Sequence, residues 1–339
     1  MSQIRYDLFH DRYVIIAPER MQRPGFLQPE KMLQREVCPF CEGREALTPP
    51  EIYAIRPHGG ANGTGWKTRV VPNLYRALEI EAPLTLHKEQ SREWREGFGA
   101  HEIVIDMPRH EQRMDQWSER EFFDWLSTLQ ERVSDLHRDF RLVYLSIFKN
   151  HGVHAGATQS HPHTQIIALP QIPKMKMAQI RHHVRYFHEH RRSIGRTLLE
   201  EALEEKWRVI LQNDTFVAIS PFAAGVPFEV WVTPKTPISS IIRATESDLH
   251  RLSSLLKTLF EKLYGVLGDF DFNLSFETAP LQKDAENEAI FETFDEICRF
   301  GIRILPRITG IGGFELSTGM MINPVTPELA AQKLREGRP

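Results

Sequence analysis

The sequence predicts an α+β fold in two related halves, with antiparallel sheets and packed helices. Three observations predict it. Two apolar stripes at helical spacing, Phe122, Leu126, Leu129, Val133, Leu136 and Leu249, Leu252, Leu256, Leu259, Leu263, mark one long helix in each half. Each helix interrupts a set of strand-like runs, which suits antiparallel strands better than regular βαβ winding. The order strand, helix, strand, loop, strand then occurs twice along the chain.

Taken in order, the first half carries EIVIDMPRH (102–110), an apolar run ending in Met-Pro. Ser118 and Glu121 have the spacing of a helix capping box, just ahead of the first stripe. LVYLSIF (142–148) is β-rich, and HTQIIALP (163–170) follows after a turn. The second half repeats the pattern with FEVWVTPK (228–235), a cap at Thr245 and Asp248, FNLSFET (272–278) and RFGIRILP (299–306). Superposing Ala168-Leu169-Pro170 on Ile304-Leu305-Pro306 puts His163 opposite Arg299 and Gln165 opposite Gly301. The second copy lacks the histidines, so the chemistry belongs to the first. The boundary falls in the charged stretch 175–205, giving units 1–190 and 191–339. His182, His183, His188 and His190 lie in that stretch, which reads as a solvated basic helix.

Composition narrows the function. A chain of 339 residues with 41% apolar content can build one large domain or two ordinary ones. A formal charge of −3 argues against a nucleic-acid partner held by phosphate neutralisation. No apolar stretch approaches the roughly 18 residues of a membrane span. The opening MSQIRYDLFHDRYVII is interrupted by charge, unlike a signal peptide. Three cysteines make no disulfide framework, and a reducing cytoplasm is the simplest compartment.

Two constellations carry chemistry. Cys38-Pro-Phe-Cys41-Glu-Gly is a knuckle that presents two thiolates to one ion. A closed zinc site needs two more ligands. Cys298 stands alone and reads as a small buried hydrophobe, so histidines are the source. His101, His110, His151, His154, His161 and His163 are the candidates, and spacing does not choose among them. In the second constellation, GATQSHPHTQ, an extended strand would put His161, His163 and Gln165 on one face. A neutral imidazole is a good nucleophile toward phosphorus when its other nitrogen is held. The small residues Gly156-Ala157-Thr158 would let a phosphate approach backbone donors. Alternatively, both histidines are metal ligands or surface residues.

His-Pro-His-Thr-Gln, preceded by FKNHGVHAGATQS, resembles the active-site segment of the galactose-1-phosphate uridylyltransferase branch of the histidine-triad superfamily. YDLFHDRYVIIAPERMQRP resembles the family's opening, CPFCEGREALTPPE its zinc knuckle, and WKTRVVPNLYRALE its nucleotide-binding strand and loop. GFELSTGMMINPVTPELAAQKLRE resembles its C-terminal end. The resemblance implies two tandem histidine-triad-like halves and zinc held by Cys38, Cys41, His110 and His161. It implies His163 as a nucleophile toward the α-phosphorus of a nucleotide sugar. By the same resemblance a nucleotidyl-histidine would form and sugar 1-phosphate would leave. A second sugar phosphate, or phosphate, would then take the nucleotide in ping-pong fashion. Gln165 would steady the phosphoryl oxygens, Thr158 and Asn150 would lie around the phosphates, and Asn73 would reach the ribose. Arg20 and Arg23 would meet phosphate across the interface of a homodimer, as forked donors suit.

Departures bear on the substrate. Leu74 follows Asn73 where the well-known uridylyltransferases have aspartate, and Lys149 precedes Asn150 where they have glutamate. The glutamate and glutamine that grip the hexose have no clear counterparts in GGFELSTGMMINP. These features look closer to relatives that act on ADP-glucose with phosphate as acceptor. Arg299-Phe300-Gly301 replaces a His-x-His that serves a second metal in the family, so none is expected there. The leading expectation is a nucleotidyltransferase acting on nucleotide sugars. The alternatives are an adenine-nucleotide phosphorylase or hydrolase with the same nucleophile, and a zinc-stabilised nucleotide binder without turnover.

Overall fold

The computed structural model describes residues 2–18, 37–110, 113–283 and 287–337. Arg20 and Arg23 lie outside the described residues. In chain order the strands are β1 (Gln3–Asp7), β2 (Arg12–Ile16), β3 (Tyr53–Ile55), β4 (Thr68–Pro72), β5 (Leu86–Glu89), β6 (Arg92–Arg95), β7 (Ala100–Ile105), β8 (Tyr144–His151) and β9 (His163–Leu169). The second half adds β10 (Val209–Gln212), β11 (Phe216–Ile219), β12 (Val230–Pro234), β13 (Phe272–Glu277), β14 (Gly301–Pro306) and β15 (Met321–Asn323).

One ten-stranded sheet runs through both halves in the order β10-β11-β12-β14-β13-β8-β9-β7-β4-β3. The halves join at β8 and β13, which pair antiparallel with Asn150 opposite Asn273. A small sheet of β1, β2 and β15 stands apart from it. The fold is thus α+β, with the two repeats fused edge to edge.

Helices α1 (Glu119–His137) and α4 (Glu246–Leu267) cover one face of the large sheet, while α2 (Lys174–His190) and α3 (Ile194–Glu205) pack on the other, against Tyr144 and against Val217, Ile219 and Trp231. Both long helices start where their sequences say. Ser118 and Thr245 accept hydrogen bonds from the backbone N–H of Glu121 and Asp248, whose carboxylates accept from the cap residues' own N–H groups. The apolar stripes of α1 and α4 bury against one face of the sheet. Phe122, Leu126, Leu129 and Val133 share a continuous core with Leu252, Leu256 and Leu259, and with Val104, Ile166, Leu274 and Ile302 from the strands. At roughly 1.5–3 kcal/mol per fully buried large apolar side chain, this common core ties the halves together.

On β9 the period of two sends Thr164, Ile166 and Ala168 into that core. The indole N–H of Trp125 on α1 donates to Thr164 Oγ1 at 3.0 Å, which satisfies both buried groups. His163 and Gln165 therefore project from the opposite face.

The division at 190/191 falls between α2 and α3. Contrary to the solvated reading of α2, His182 and His183 are buried, and their Nε2 atoms lie 2.9 and 2.8 Å from the carbonyls of Leu8 and Phe9. The N-terminal hairpin crosses this helix, a long-range contact that local periodicity does not encode. No helix among the described residues is long and apolar enough to cross a membrane.

Candidate active site

The site grows from the ends of β7, β8 and β9. β7 and β9 pair antiparallel with Ile105 opposite His163, so the chain leaving β7 runs beside the chain entering β9. That register brings His110 and His161 together, and the Cys38–Cys41 knuckle closes over them. The ligand atoms of Cys38, Cys41, His110 and His161 all lie within 4.8 Å of one another.

Their chemistry fits a cation. His161 Nε2 lies 2.8 Å from the Met107 carbonyl, which can only accept, so that nitrogen carries the proton. Its Nδ1 lone pair then faces Cys41 Sγ at 3.7 Å, and His110 Nδ1 lies 3.4 Å from the same sulfur. A tetrahedral ion bonded at about 2.3 Å to sulfur and about 2.0 Å to nitrogen would set such edges near 3.5 Å. Ser160 Oγ, 3.0 Å from His110 Nε2, holds the second imidazole in place. Burial, then the charge of Cys38, pushes the Cys41 thiol up to about 11. A cation in the cluster reverses that preference, because a ligating thiol must be ionised. The four residues could therefore hold a metal ion.

The remaining candidate histidines go elsewhere. His151 stacks on Phe272 with ring centroids 4.9 Å apart. His154 Nδ1 lies 2.8 Å from Asp271 Oδ2. Gly152, at φ +84°, makes this turn possible, since an added Cβ would lie inside the Asp271 carboxylate.

His163 is buried, and its Nδ1–H donates to the carbonyl of His161 at 2.9 Å. That bond fixes the tautomer and leaves the Nε2 lone pair free. The ring of Phe40, from the middle of the knuckle, packs 5.6 Å from the His163 ring. Beneath the strand, Lys149 Nζ donates to Asp106 Oδ2 at 2.6 Å and to the His163 carbonyl at 3.2 Å. Burial first, and the Lys149 charge second, lower the His163 pKa, which keeps the imidazole neutral.

Gln165 is oriented by a residue the sequence left among the metal candidates. The Ala77 N–H donates to His101 Nδ1 at 3.2 Å. His101 Nε2–H therefore donates to Gln165 Oε1 at 3.0 Å, and the Gln165 NH2 group points away from it. Asn73 Nδ2 packs 3.0 Å from the same His101 nitrogen, while Asn73 Oδ1 accepts from the Tyr75 N–H at 2.9 Å. Asn150 is tied to the second half: its Oδ1 accepts from Asn273 Nδ2 at 2.8 Å. Thr158 is exposed on the loop between β8 and β9. Arg299 donates to the Pro234 carbonyl. His101, Ser160 and Asn273 were not singled out for these roles, because they act only through strand pairing that no local spacing reveals.

The geometry thus offers a held imidazole with a free nitrogen, flanked by amide donors and adjoining a cluster of four residues that could hold a metal ion. Residues 1–173 match the family model described as galactose-1-phosphate uridyl transferase, N-terminal domain, and residues 179–336 match its C-terminal domain. The chain is 32% identical to an ADP-glucose phosphorylase of Arabidopsis thaliana, over 98% of this chain and 92% of that protein. It is 27% identical to a galactose-1-phosphate uridylyltransferase of Thermotoga maritima, over 99% of this chain and 98% of that one. A crystal structure of an Arabidopsis ADP-glucose phosphorylase with bound ADP-glucose superposes with a TM-score of 0.83, covering 100% of both chains. With both halves matched in order by the models of one family, the chain belongs to the galactose-1-phosphate uridylyltransferase family.

Proposed function

We propose that this chain moves a nucleoside monophosphate between a nucleotide sugar and a sugar 1-phosphate, or phosphate, through a nucleotidyl intermediate on His163. The observation that carries this reading is the His163 Nδ1–H bond to the His161 carbonyl, which leaves Nε2 as the one ring nitrogen able to attack. In the first step Nε2 forms a bond to the α-phosphorus. The α-phosphorus bond to the bridging oxygen breaks, and sugar 1-phosphate departs with that electron pair. The Gln165 NH2 group, turned outward by His101, steadies the phosphoryl oxygens as charge builds on them. In the second step a phosphate oxygen attacks the same phosphorus and the imidazole leaves.

Zinc is the ion the Cys2His2 donor set suits, and bound there it would cross-link the knuckle to the strand ends. His161 links this brace to the chemistry: its ring faces the cluster while its carbonyl aims the nucleophile. The reading includes a cytoplasmic homodimer with Arg20 and Arg23 on phosphate, Asn73 on the ribose, and Thr158 and Asn150 at the phosphates.

A second reading is favoured by Leu74 and Lys149 and by the likeness to the Arabidopsis protein: ADP-glucose as donor and phosphate as acceptor. Incubation with ADP-glucose and, separately, UDP-glucose, followed by intact mass measurement, tests both. An adenylyl or uridylyl addition that is absent from His163→Ala supports the function and names the base. Release of sugar phosphate without any protein adduct would refute it.

Two further outcomes follow from the site. Cys38→Ser should leave the protein well below one zinc per chain, with early thermal unfolding, whereas the unaltered protein should hold about one. Metal analysis and a melting curve check this. His101→Phe keeps a ring but removes the donor to Gln165. Gln165 would no longer be held toward the phosphoryl oxygens, so kcat should fall by about 10–100-fold, the worth of its charge-assisted hydrogen bond to them, with KM little changed. His101→Asn should restore part of the rate.

A further inference from the structure

Arg307 follows the end of β14 and belongs to the half that lacks the His-Pro-His segment. Its backbone N–H donates to the Asp271 carbonyl at 2.7 Å. Its Nε donates to the Asn273 side-chain carbonyl. Asn273 in turn donates to Asn150 Oδ1 and to the Ala155 carbonyl, each at 2.8 Å. This chain of contacts points the guanidinium toward the face that carries His163, because Asn273 stands directly across from Asn150 in the β8–β13 register. On the other side, β8 and β9 pair with Phe148 opposite Gln165, so continuing that register sets Asn150 beside His163.

The polarity of this row is one-sided. Asn150 uses its carbonyl on Asn273, so its NH2 group is left for the open face. Gln165 likewise uses its carbonyl on His101. No carboxylate among the described residues pairs with Arg307, and the nearby Asp271 carboxylate is already engaged by His154. Burial lowers the guanidinium from its usual range with no acid to offset it. A half-buried cation without a protein counter-charge, next to an amide donor, is arranged for an anionic ligand.

We propose that Arg307 is a further phosphate-binding residue of this site, holding beside Asn150 the phosphate that leaves in the first step and attacks in the second. The proposal rests on His163 as nucleophile and on the phosphate acceptor given above, and it adds a residue of the second half that favours that acceptor over water. An acceptor phosphate oxygen is already anionic. It forms the new bond to phosphorus, the Nε2–phosphorus bond breaks, and the electron pair returns to Nε2, with no proton to remove. Water in the same place would have to lose a proton to a base.

The test uses the full chain. The nucleotidyl-enzyme is made with ADP-glucose or UDP-glucose, freed of small molecules, and chased with inorganic phosphate, with glucose 1-phosphate, or with buffer alone. Discharge to a phosphate acceptor relative to discharge to water should fall about 10–100-fold in Arg307→Gln, and Arg307→Lys should recover part of it. An unchanged ratio, or equal slowing of both discharges, overturns this role of Arg307. Should Arg307→Gln not fold, Arg307→Lys serves alone, with a fall of about threefold or more expected because one bidentate donor is lost. If the unaltered protein forms no adduct, the nucleophile reading fails by itself. The role of Arg307 is then judged by calorimetric titration with inorganic phosphate, where equal affinity in the Arg307 variant and the unaltered protein overturns it and affinity weakened about tenfold sustains it.

Discussion

Replacing His163 by alanine is expected to lower nucleotidyl transfer by about four orders of magnitude or more, a loss typical of a removed covalent nucleophile. No neighbouring ring is placed to substitute. His161 Nδ1 faces Cys41, and His151 stacks on Phe272. The fold should survive, because His163 is outside the ligand cluster and its side chain makes one hydrogen bond, to the carbonyl of His161. Single-turnover release of sugar phosphate, compared with the melting curve of the same sample, separates the two effects. A rate within tenfold of the unaltered protein would remove His163 from the chemistry.

The second large effect concerns the charge pair beneath the nucleophile. Lys149 and Asp106 are 2.6 Å apart, with side chains 1% and 0% exposed. Removing one partner strands a charge in the interior, which costs about 3–5 kcal/mol. Lys149→Met should therefore be destabilised by about that amount in denaturant titration. The double variant Lys149→Met, Asp106→Leu should recover most of it, because an apolar pair has no desolvation penalty to repay. Equal loss in the single and double variants would mean that shape, not charge, sets the cost. Lys149 also holds the His163 carbonyl, so the recovered double variant should remain slower than the unaltered protein.

Much of the architecture was legible because it is written locally. The helical stripes, the capping boxes at Ser118 and Thr245, and the strand runs each depend on residues within a few positions. The knuckle was half legible in the same way: Cys38 and Cys41 are local, but their partners come from residue 110 and residue 161. Spacing along the chain left six histidines open. The antiparallel register of β7 and β9 brings the two ring nitrogens beside Cys41, and the likeness to a family had named them where spacing did not. His101 was unreadable for a related reason: its value lies in bridging β9 and the loop after β4. Arg307 is stranger still to a local reading, since two intervening strands separate it from His163 in the sheet order. The buried face of α2 depends on the hairpin of β1 and β2, whose arrival no periodicity announces.

The most direct measurement is phosphorus NMR, with peptide mapping, of the protein trapped with a nucleotide sugar. The geometry predicts a single phosphoramidate on the Nε2 atom of His163. A bond at Nδ1, an adduct on any other residue, or turnover with no phosphorus–nitrogen bond at all would contradict it.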